Sequence, residues 1–227
     1  MFEGFSQETS DFLWELSFHN ERPWFLEHKE QFERCLNEPF KALAADTTEK
    51  MRQRWPQMDF QTHVSRIYRD ARRLYGRGPY KDHLWFTVEN GATFRRGPSF
   101  WFELDAAEYS YGLGFWNVNP AGMEQFRRMV DANPARFERL AADLARRKEF
   151  RVMGQEYKKP KGNYDEPIRS WYSRKYLAVE CAKDFGGELL TPGLVDTLVE
   201  SYARLMPLHD YFLEFYHSLG DVADGFR

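Results

Sequence analysis

The sequence predicts an α+β fold, in which an antiparallel β-sheet meander is flanked by N-terminal and C-terminal helices. Apolar residues recur at helical spacing near both ends of the chain, and polar and apolar residues alternate with a period of two in the middle. No repeat, low-complexity tract or Gly/Ser linker interrupts the 227 residues, of which 42% are hydrophobic. A chain of this length and composition can bury a sizeable core, so we expect one α+β domain over residues 1–227.

Two helices are predicted in the N-terminal part of the chain. Thr9-Ser10 are residue types that cap a helix, and Asn20 either ends this first helix or caps the next one. Pro23 suits the first turn of the second helix, because its missing N–H is not needed there. The second helix is expected to run to Arg54, where Trp55-Pro56 closes it.

Strands are predicted from Phe60 onward, where "FTVE", "FWFELD" and "YSYGLGFW" alternate between apolar and polar residues. In the last of these segments Ser110, Gly112, Gly114 and Trp116 share one face. The missing side chains favour either a shallow ligand groove or the close packing of a helix on the glycines.

The C-terminal half is predicted to return to helices. The expected elements are, in order, a helical pair over Pro120–Asp131 and Pro134–Lys148, a connector over residues 149–169, a strand at "YLAVECAKDF", and a long amphipathic helix from Thr191 that Pro207 kinks or restarts.

Composition excludes several classes of protein. A formal net charge of -3 and a pI near 6.1 argue against a surface built for nucleic acid, so no nucleic-acid partner is expected. Cys35 and Cys181 lie far apart with no CxxC, so they predict buried thiols, neither a disulfide framework nor a zinc site. No apolar run approaches the roughly 20 residues of a membrane span, and no signal segment opens the chain. We therefore expect a cytoplasmic protein with no membrane partner, no cofactor and no metal.

The segment "RIYRDARRLYGRGPYKDH", residues 66–83, concentrates positive charge in this mildly acidic chain. Gly76 and Gly78 allow positive φ angles and Pro79 stiffens the loop, so the loop is able to fold its cations back over a strand end. Guanidinium forks and amide donors suit phosphate or carboxylate. The predicted ligand-binding residues are Arg66, Arg69, Asp70, Arg72, Arg77, Tyr80 and Lys81, with a further cation at Arg73.

Two interpretations of this basic segment stay open. In the first, the cations bind a small anionic molecule, with or without enzymatic turnover, and Asp70 is ionised and orients a guanidinium of Arg69 or Arg72. In the second, the arginines form structural ion pairs, and an aromatic face makes the protein a non-catalytic interaction module. If residues 62–68 form a strand, its cations leave the sheet in different directions, so they cannot all serve one ligand.

Weaker candidates lie elsewhere, each with a plainer alternative. They are a metal site or a solvated helix face at Asp210, Glu214 and His217; acid–base groups or ordinary histidines at His63 and His83; and an anion-closing lid or a solvated loop at Lys158, Lys159, Lys161 and Gly162.

Four segments resemble a known family: "HNERPWFLEHKEQFE", "SRIYRDARRLYGRGPYK", "YGLGFW" and "KKPKGNYDEP" leading to "SRKYL". They are similar to the uncharacterised bacterial and fungal family catalogued as domain of unknown function 2461, over nearly the whole chain. The most specific part falls on Arg69-Asp70, Arg72 and Pro79–Lys81. The resemblance implies a shared fold and a candidate site, and it implies no activity.

Overall fold

The computed structural model describes residues 1–74 and 76–220, apart from the side chain of Arg73. Its helices are α1 (Gln7–Phe18), α2 (Arg22–Glu27), α3 (Lys29–Phe32), α4 (Glu38–Arg54), α5 (Pro120–Ala132), α6 (Pro134–Arg147), α7 (Arg169–Tyr172) and α8 (Leu194–Ser218). Its strands are β1 (Phe60–Val64), β2 (His83–Asn90), β3 (Ser99–Asp105), β4 (Glu108–Phe115), β5 (Arg151–Met153) and β6 (Leu177–Asp184).

The strands form a six-stranded antiparallel sheet in the order β1-β2-β3-β4-β6-β5. The first four are neighbours in chain order, so the predicted meander and the α+β class are confirmed. β5 pairs with β6 in antiparallel register, Val152 lying opposite Val179. This short strand lies inside the segment expected to be a plain connector, and three residues are too few to show a period of two.

Contacts divide the chain into two compact units, each assembled from three stretches. The first contains Met1–Val88, Trp101–Tyr111 and Ala182–Glu200, and the second contains Glu89–Phe100, Gly112–Cys181 and the chain from Ser201 onward. Four of the five boundaries fall inside strands β2, β3, β4 and β6, and the fifth falls inside helix α8. Because neither unit is a continuous piece of chain, the expectation of one domain stays a prediction for unfolding experiments.

Aromatic rings dominate the core of each unit, as the composition predicts. In the first unit Phe40 of α4 packs against Phe86 of β2 and Phe102 of β3, with ring centroids 5.7 and 5.8 Å apart. In the second unit Phe137 of α6 lies 5.3 Å from Phe126 of α5 and 5.1 Å from Tyr211 of α8. The helices therefore position the sheet residues through ring contacts.

The first helix begins earlier than predicted. Its N-cap is Ser6, whose backbone N–H donates to Thr9 Oγ1 at 3.3 Å. Thr9 is buried, and its hydroxyl donates to the carbonyl of Cys35 at 2.7 Å. That carbonyl lies four residues before Pro39, which has no N–H to offer it. Thr9 thus replaces a hydrogen bond that Pro39 cannot make.

The second predicted helix is divided into α2, α3, a π-helical turn at Glu33–Asn37, and α4. Pro23 lies in the first turn of α2, and α4 ends at Arg54 with Trp55 as its C-cap, both as predicted. The break between α2 and α3 falls at His28, whose ring stacks on Trp24 with centroids 4.0 Å apart. A local side-chain contact of this kind leaves no mark in hydrophobic periodicity.

The C-terminal helices agree with the sequence to within one residue or a few. α5 and α6 each begin at the predicted proline, and β6 falls within "YLAVECAKDF". One helix, α8, spans Leu194–Ser218, so Pro207 does not restart it. Among the described residues no helix has the length and apolar character that crossing a bilayer requires.

Candidate functional site

The basic segment forms a closed loop between β1 and β2 of the first unit. Tyr68 and Tyr80 make an isolated antiparallel bridge, flanked by hydrogen bonds from Arg69 N to the Pro79 carbonyl at 2.8 Å and from Lys81 N to the Ile67 carbonyl at 2.7 Å. β1 itself ends at Val64, so the conditional strand over residues 62–68 is too long. The bridge holds the two ends of the loop together.

Asn20 clamps this bridge from outside the loop. Its side-chain N–H donates to the Tyr80 carbonyl and its Oδ1 accepts the Tyr80 N–H, both at 2.9 Å. A Cβ at Gly78 would lie 2.2 Å from Asn20 Oδ1, so only glycine fits there. The buried Tyr80 ring stacks on Phe25 with centroids 4.1 Å apart. Tyr80 is therefore fixed by backbone and ring contacts alike.

Arg69 also hydrogen-bonds to the backbone of Tyr80. Its Nε donates to the Tyr80 carbonyl at 2.7 Å and its Nη2 to Asp82 Oδ1 at 3.2 Å, and its side chain is 12% exposed. His83 Nδ1 lies 2.8 Å from the same Asp82 oxygen. Burial acts to raise the pKa of Asp82, but the hydrogen bond with His83 and the Arg69 charge, with other contributions, outweigh it, so the pKa is lowered. Arg69 thus has a carboxylate partner other than the predicted one.

Asp70 holds the guanidinium fork of Arg72. The carboxylate accepts Arg72 N and Nε at 3.0 Å and Nη2 at 2.9 Å, so it caps the short 3₁₀ turn Ala71–Arg73 and orients one arginine. The hydrogen bond that Arg72 donates to Asp70 raises the pKa of Arg72. The Arg72 side chain is 88% exposed, so water and salt screen this pair. Of the two arginines predicted beside Asp70, the structure pairs Arg72 with it.

Lys81 occupies a different environment from the other cations. Its Nζ donates to the Arg66 carbonyl at 2.7 Å and lies 5.7 Å from the Trp85 ring centroid. Burial, and then the Arg69 charge, lower the pKa of Lys81, while Glu103 acts in the opposite direction. No carboxylate of the described residues lies within ion-pair distance of this ammonium. Lys81 is therefore half-buried, and the nearby charge of Arg69 disfavours its protonated form.

Two predicted site residues point into solvent. Arg66 and Arg77 are exposed, and neither side chain forms an ion pair within the described part of the chain. The side chain of Arg73 and the whole of Tyr75 lie outside the described residues. The loop therefore links Lys81 to the Arg66 carbonyl and to the Arg69 charge, whereas the guanidinium of Arg72 is paired with Asp70.

The glycine face of β4 is filled. A Cβ at Gly112 would lie 1.9 Å from the Val179 carbonyl oxygen, and one at Gly114 would lie 2.4 Å from the Trp116 ring. Trp116 in turn packs against Tyr176, with ring centroids 5.3 Å apart. The glycines are closely packed, but by strand β6 and the Trp116 ring and not by the expected helix, and this packing leaves no room for a ligand there.

The remaining candidates have ordinary partners. Glu214 forms an ion pair with Arg136 at 2.6 Å, and among the residues described no group of three or more His, Cys, Asp or Glu is placed to hold a metal ion. The His63 ring lies 5.4 Å from Trp85, edge to face. Cys35 and Cys181 are free and buried, as predicted, and burial raises the pKa of Cys35 to about 12.

Sequence reasoning missed the residues that shape this loop from a distance. Asn20 lies 60 positions from Tyr80, and its type suggested a helix cap. Trp85, which directly precedes the predicted strand segment "FTVE", was given no role, and Asp82 was not linked to Arg69. The only available signal was the HNERP motif of the family resemblance, which contains Asn20 and does not reveal its partner.

Comparisons with known proteins bear on the whole chain. The sequence model of a family described as "Conserved hypothetical protein (DUF2461)" matches residues 8–211, a range that includes the basic loop and its Asn20 clamp. A search of curated proteins found no match.

Proposed function

The chain belongs to the DUF2461 family of conserved hypothetical proteins, and we propose that it binds a small anion, a phosphate- or carboxylate-bearing molecule, at Lys81. The proposed site, the Lys81 site, comprises the Lys81 ammonium, the Arg69 guanidinium, the exposed Arg66 side chain and the Trp85 ring. One observation supports it most: the Lys81 ammonium is half-buried and repelled by the Arg69 charge, and no carboxylate of the described residues lies within ion-pair distance of Lys81.

The electrostatic argument follows from the surroundings of Lys81. Two unit charges 4 Å apart interact by about 4 kcal/mol at an effective dielectric constant near 20. Repulsion from Arg69 exceeds attraction from Glu103 in its effect on Lys81. A bound anion would reverse this balance, and the ammonium has donors left after its bond to the Arg66 carbonyl.

The residues of the predicted site take different parts in this proposal. Lys81 supplies the central charge and Arg66 a solvent-facing one, while Arg77 adds long-range attraction from the loop. Tyr80 and Asp70 have structural roles: Tyr80 holds the bridge to Tyr68 in place, and Asp70 caps the 3₁₀ turn. The proposal concerns binding and assigns no catalytic residue.

Thermal unfolding in inorganic phosphate, compared with chloride at equal ionic strength, tests the Lys81 site. We expect phosphate to raise the melting temperature of the unmodified protein, Arg66→Gln to reduce this response, and Lys81→Met to abolish it. Arg66→Gln keeps the backbone carbonyl that Lys81 uses, so it isolates the charge.

Lys41→Gln is the matched control, because Lys41 is exposed on α4 of the same unit and should leave the phosphate response unchanged. An unmodified protein without a phosphate response would contradict the proposal. So would a Lys81→Met protein that responds as fully as the unmodified one.

A non-catalytic interaction module is the second candidate, and an exposed aromatic pair favours it. Trp14 and Phe18 on α1 are 49% and 78% exposed and stack on each other with centroids 6.4 Å apart. Exposed rings of this size are typical of interaction surfaces. Sedimentation that reveals self-association, lost in a Trp14→Ser/Phe18→Ser protein and accompanied by no phosphate response, would favour this candidate over the first.

A further inference from the structure

A second concentration of positive charge surrounds a single tyrosine in the second unit. The guanidinium carbon of Arg127 and the ammonium of Lys161 each lie 5.3 Å from the Tyr157 ring centroid, and the ammonium of Lys175 lies 5.8 Å from it. A ring has two faces, so at least two of these three cations share one face. Like charges held this close repel one another.

The backbone holds these residues in place. Tyr157 N donates to the Ser173 carbonyl at 2.9 Å, and Lys175 N donates to the Gln155 carbonyl at 2.9 Å. Lys161 N donates to the hydroxyl of the buried Ser173 at 3.0 Å. The segment proposed from sequence as a lid or a solvated loop is therefore anchored on both sides of Tyr157.

Arg127 is the only one of the three cations with a full set of partners among the described residues. It is 3% exposed, and it donates to Glu124 at 2.8 Å and to the carbonyls of Tyr172 and Arg174 at 2.9 and 3.3 Å. Its charge is thus shared with a carboxylate on its own helix. Arg127 supplies the fixed, buried side of the cluster.

The two lysines lack such partners. Lys175 Nζ donates to the neutral Gln155 side chain at 2.8 Å, and the Lys161 ammonium has no hydrogen bond or ion pair within the described part of the chain. Tyr157 is half-buried, and a cation–π contact contributes about 0.5–1 kcal/mol at an exposed site and about 2 kcal/mol when it is desolvated, less than a buried ion pair would. Two ammonium groups therefore converge on one ring with their charges uncompensated.

The neighbouring carboxylates are already engaged. Asp131 accepts the hydroxyls of Tyr164 and Tyr172 at 2.8 and 2.9 Å, and Glu156 pairs with Arg174 at 3.1 Å. Neither forms an ion pair with Lys161 or Lys175. Within residues 1–74 and 76–220 no carboxylate forms an ion pair with either lysine, so a bound anion is able to supply the missing negative charge.

We propose that Lys161 and Lys175, converging on Tyr157, form a binding site for a phosphoryl oxyanion, separate from the Lys81 site. Each ammonium is a compact charge with free N–H donors, and a phosphoryl group accepts hydrogen bonds from several donors at once. The anchored backbone reduces the entropy lost when the lysines close on the anion. All residues of this site belong to the second unit, whereas those of the Lys81 site belong to the first.

Lysine acylation followed by mass spectrometry tests the site, with inorganic phosphate as the probe and chloride at equal ionic strength as the reference. We expect phosphate to slow modification of Lys161 and Lys175 several-fold. Lys158 and Lys159 are exposed on the same segment and serve as internal controls, whose modification should not change.

A variant pair sharpens this test. Lys161→Gln should reduce the protection of Lys175 by phosphate, whereas Lys159→Gln should leave it intact. Equal protection of all four lysines, or protection of none, would overturn the proposal. The same map reports Lys81 separately: protection confined to Lys81 would support the proposed function and overturn this second site.

Discussion

Arginines of one short segment play different parts because their surroundings differ. Arg69 is largely buried and donates to the backbone carbonyl of Tyr80, so it joins the loop to β2. Arg72 is exposed and pairs with the aspartate two residues before it, a contact that solvent screens. Sequence alone assigns both to one cationic cluster, and burial separates them.

This difference predicts unequal effects on stability. Arg69→Ala removes two hydrogen bonds, one to the Tyr80 carbonyl and one to Asp82, while Asn20 and His83 remain as partners of these two acceptors. The free energy of unfolding should therefore fall by about 1–3 kcal/mol. Arg72→Ala removes only a screened contact and should leave the melting temperature unchanged within error. Urea unfolding of both variants in plain buffer measures this. Equal losses would mean that the exposed Asp70–Arg72 pair contributes as much as the buried one.

At the scale of elements, the sequence predicted those helices and strands that a single residue type or a local pattern specifies. Pro120 and Pro134 mark the starts of α5 and α6, and alternation marks β3 and β4. The predictions failed where a contact with a residue distant in sequence determines the local structure. Thr9 lies inside α1, where its hydroxyl accepts the N–H of the N-cap Ser6 and donates to the distant Cys35 carbonyl. Hydrophobic periodicity cannot reveal the contact with Cys35.

The candidate site follows the same division. The sequence located the loop and its cations, because glycine and proline indicate a loop and arginine indicates positive charge by residue type alone. It did not reveal that Asn20 holds Tyr80, or that Asp82 takes Arg69 while Asp70 takes Arg72. These choices depend on tertiary contacts between segments up to 60 residues apart.

The connector before α7 is tied to α5 by a shared carboxylate, which predicts a pH dependence. Asp131 on α5 accepts hydrogen bonds from Tyr164 and Tyr172. Burial and then this hydrogen bond raise the pKa of Tyr172 to about 12, and the same causes raise the pKa of Tyr164. The folded state keeps phenol protons that the unfolded chain loses above 10, so stability should fall as the pH rises from 10 toward 12.

Asp131→Asn should lower the pKa of both phenols, because it removes the negative acceptor. Tyrosinate absorbance during an alkaline titration measures this, and two of the 12 tyrosines should titrate earlier than in the unmodified protein. Asp165→Asn, an exposed position in the same connector, is the control and should leave the titration unchanged. Identical curves for Asp131→Asn and the control would contradict the role assigned to Asp131.

At the scale of the whole molecule, positive charge is gathered in two places although the chain carries a formal net charge of -3. The basic loop lies in the first unit and the Tyr157 cluster in the second. Local concentration of this kind favours small anions over an extended polyanion, because affinity for duplex nucleic acid depends on the number of phosphates neutralised along it.

The connectivity of the chain predicts a single unfolding transition. Each unit is assembled from three separate stretches, and the five unit boundaries fall inside four strands and helix α8, so neither unit is one continuous segment. The N-terminal stretch already depends on distant residues of its own unit, since Phe5 N donates to the Leu189 carbonyl at 3.0 Å and Lys50 pairs with Asp196 at 2.5 Å. A unit that lost one stretch would lose such contacts.

Two core variants test this cooperativity. Leu43 on α4 and Leu205 on α8 are fully buried, one in each unit, and each change to alanine should cost about 2–5 kcal/mol. A single transition requires that both variants lower the same melting temperature, by roughly 2–4 °C for each kcal/mol in a chain of this size. Calorimetry should then give equal calorimetric and van't Hoff enthalpies. If Leu43→Ala splits the heat-absorption peak, or moves only one of two peaks while Leu205→Ala moves the other, the units unfold independently and the single-domain prediction is wrong.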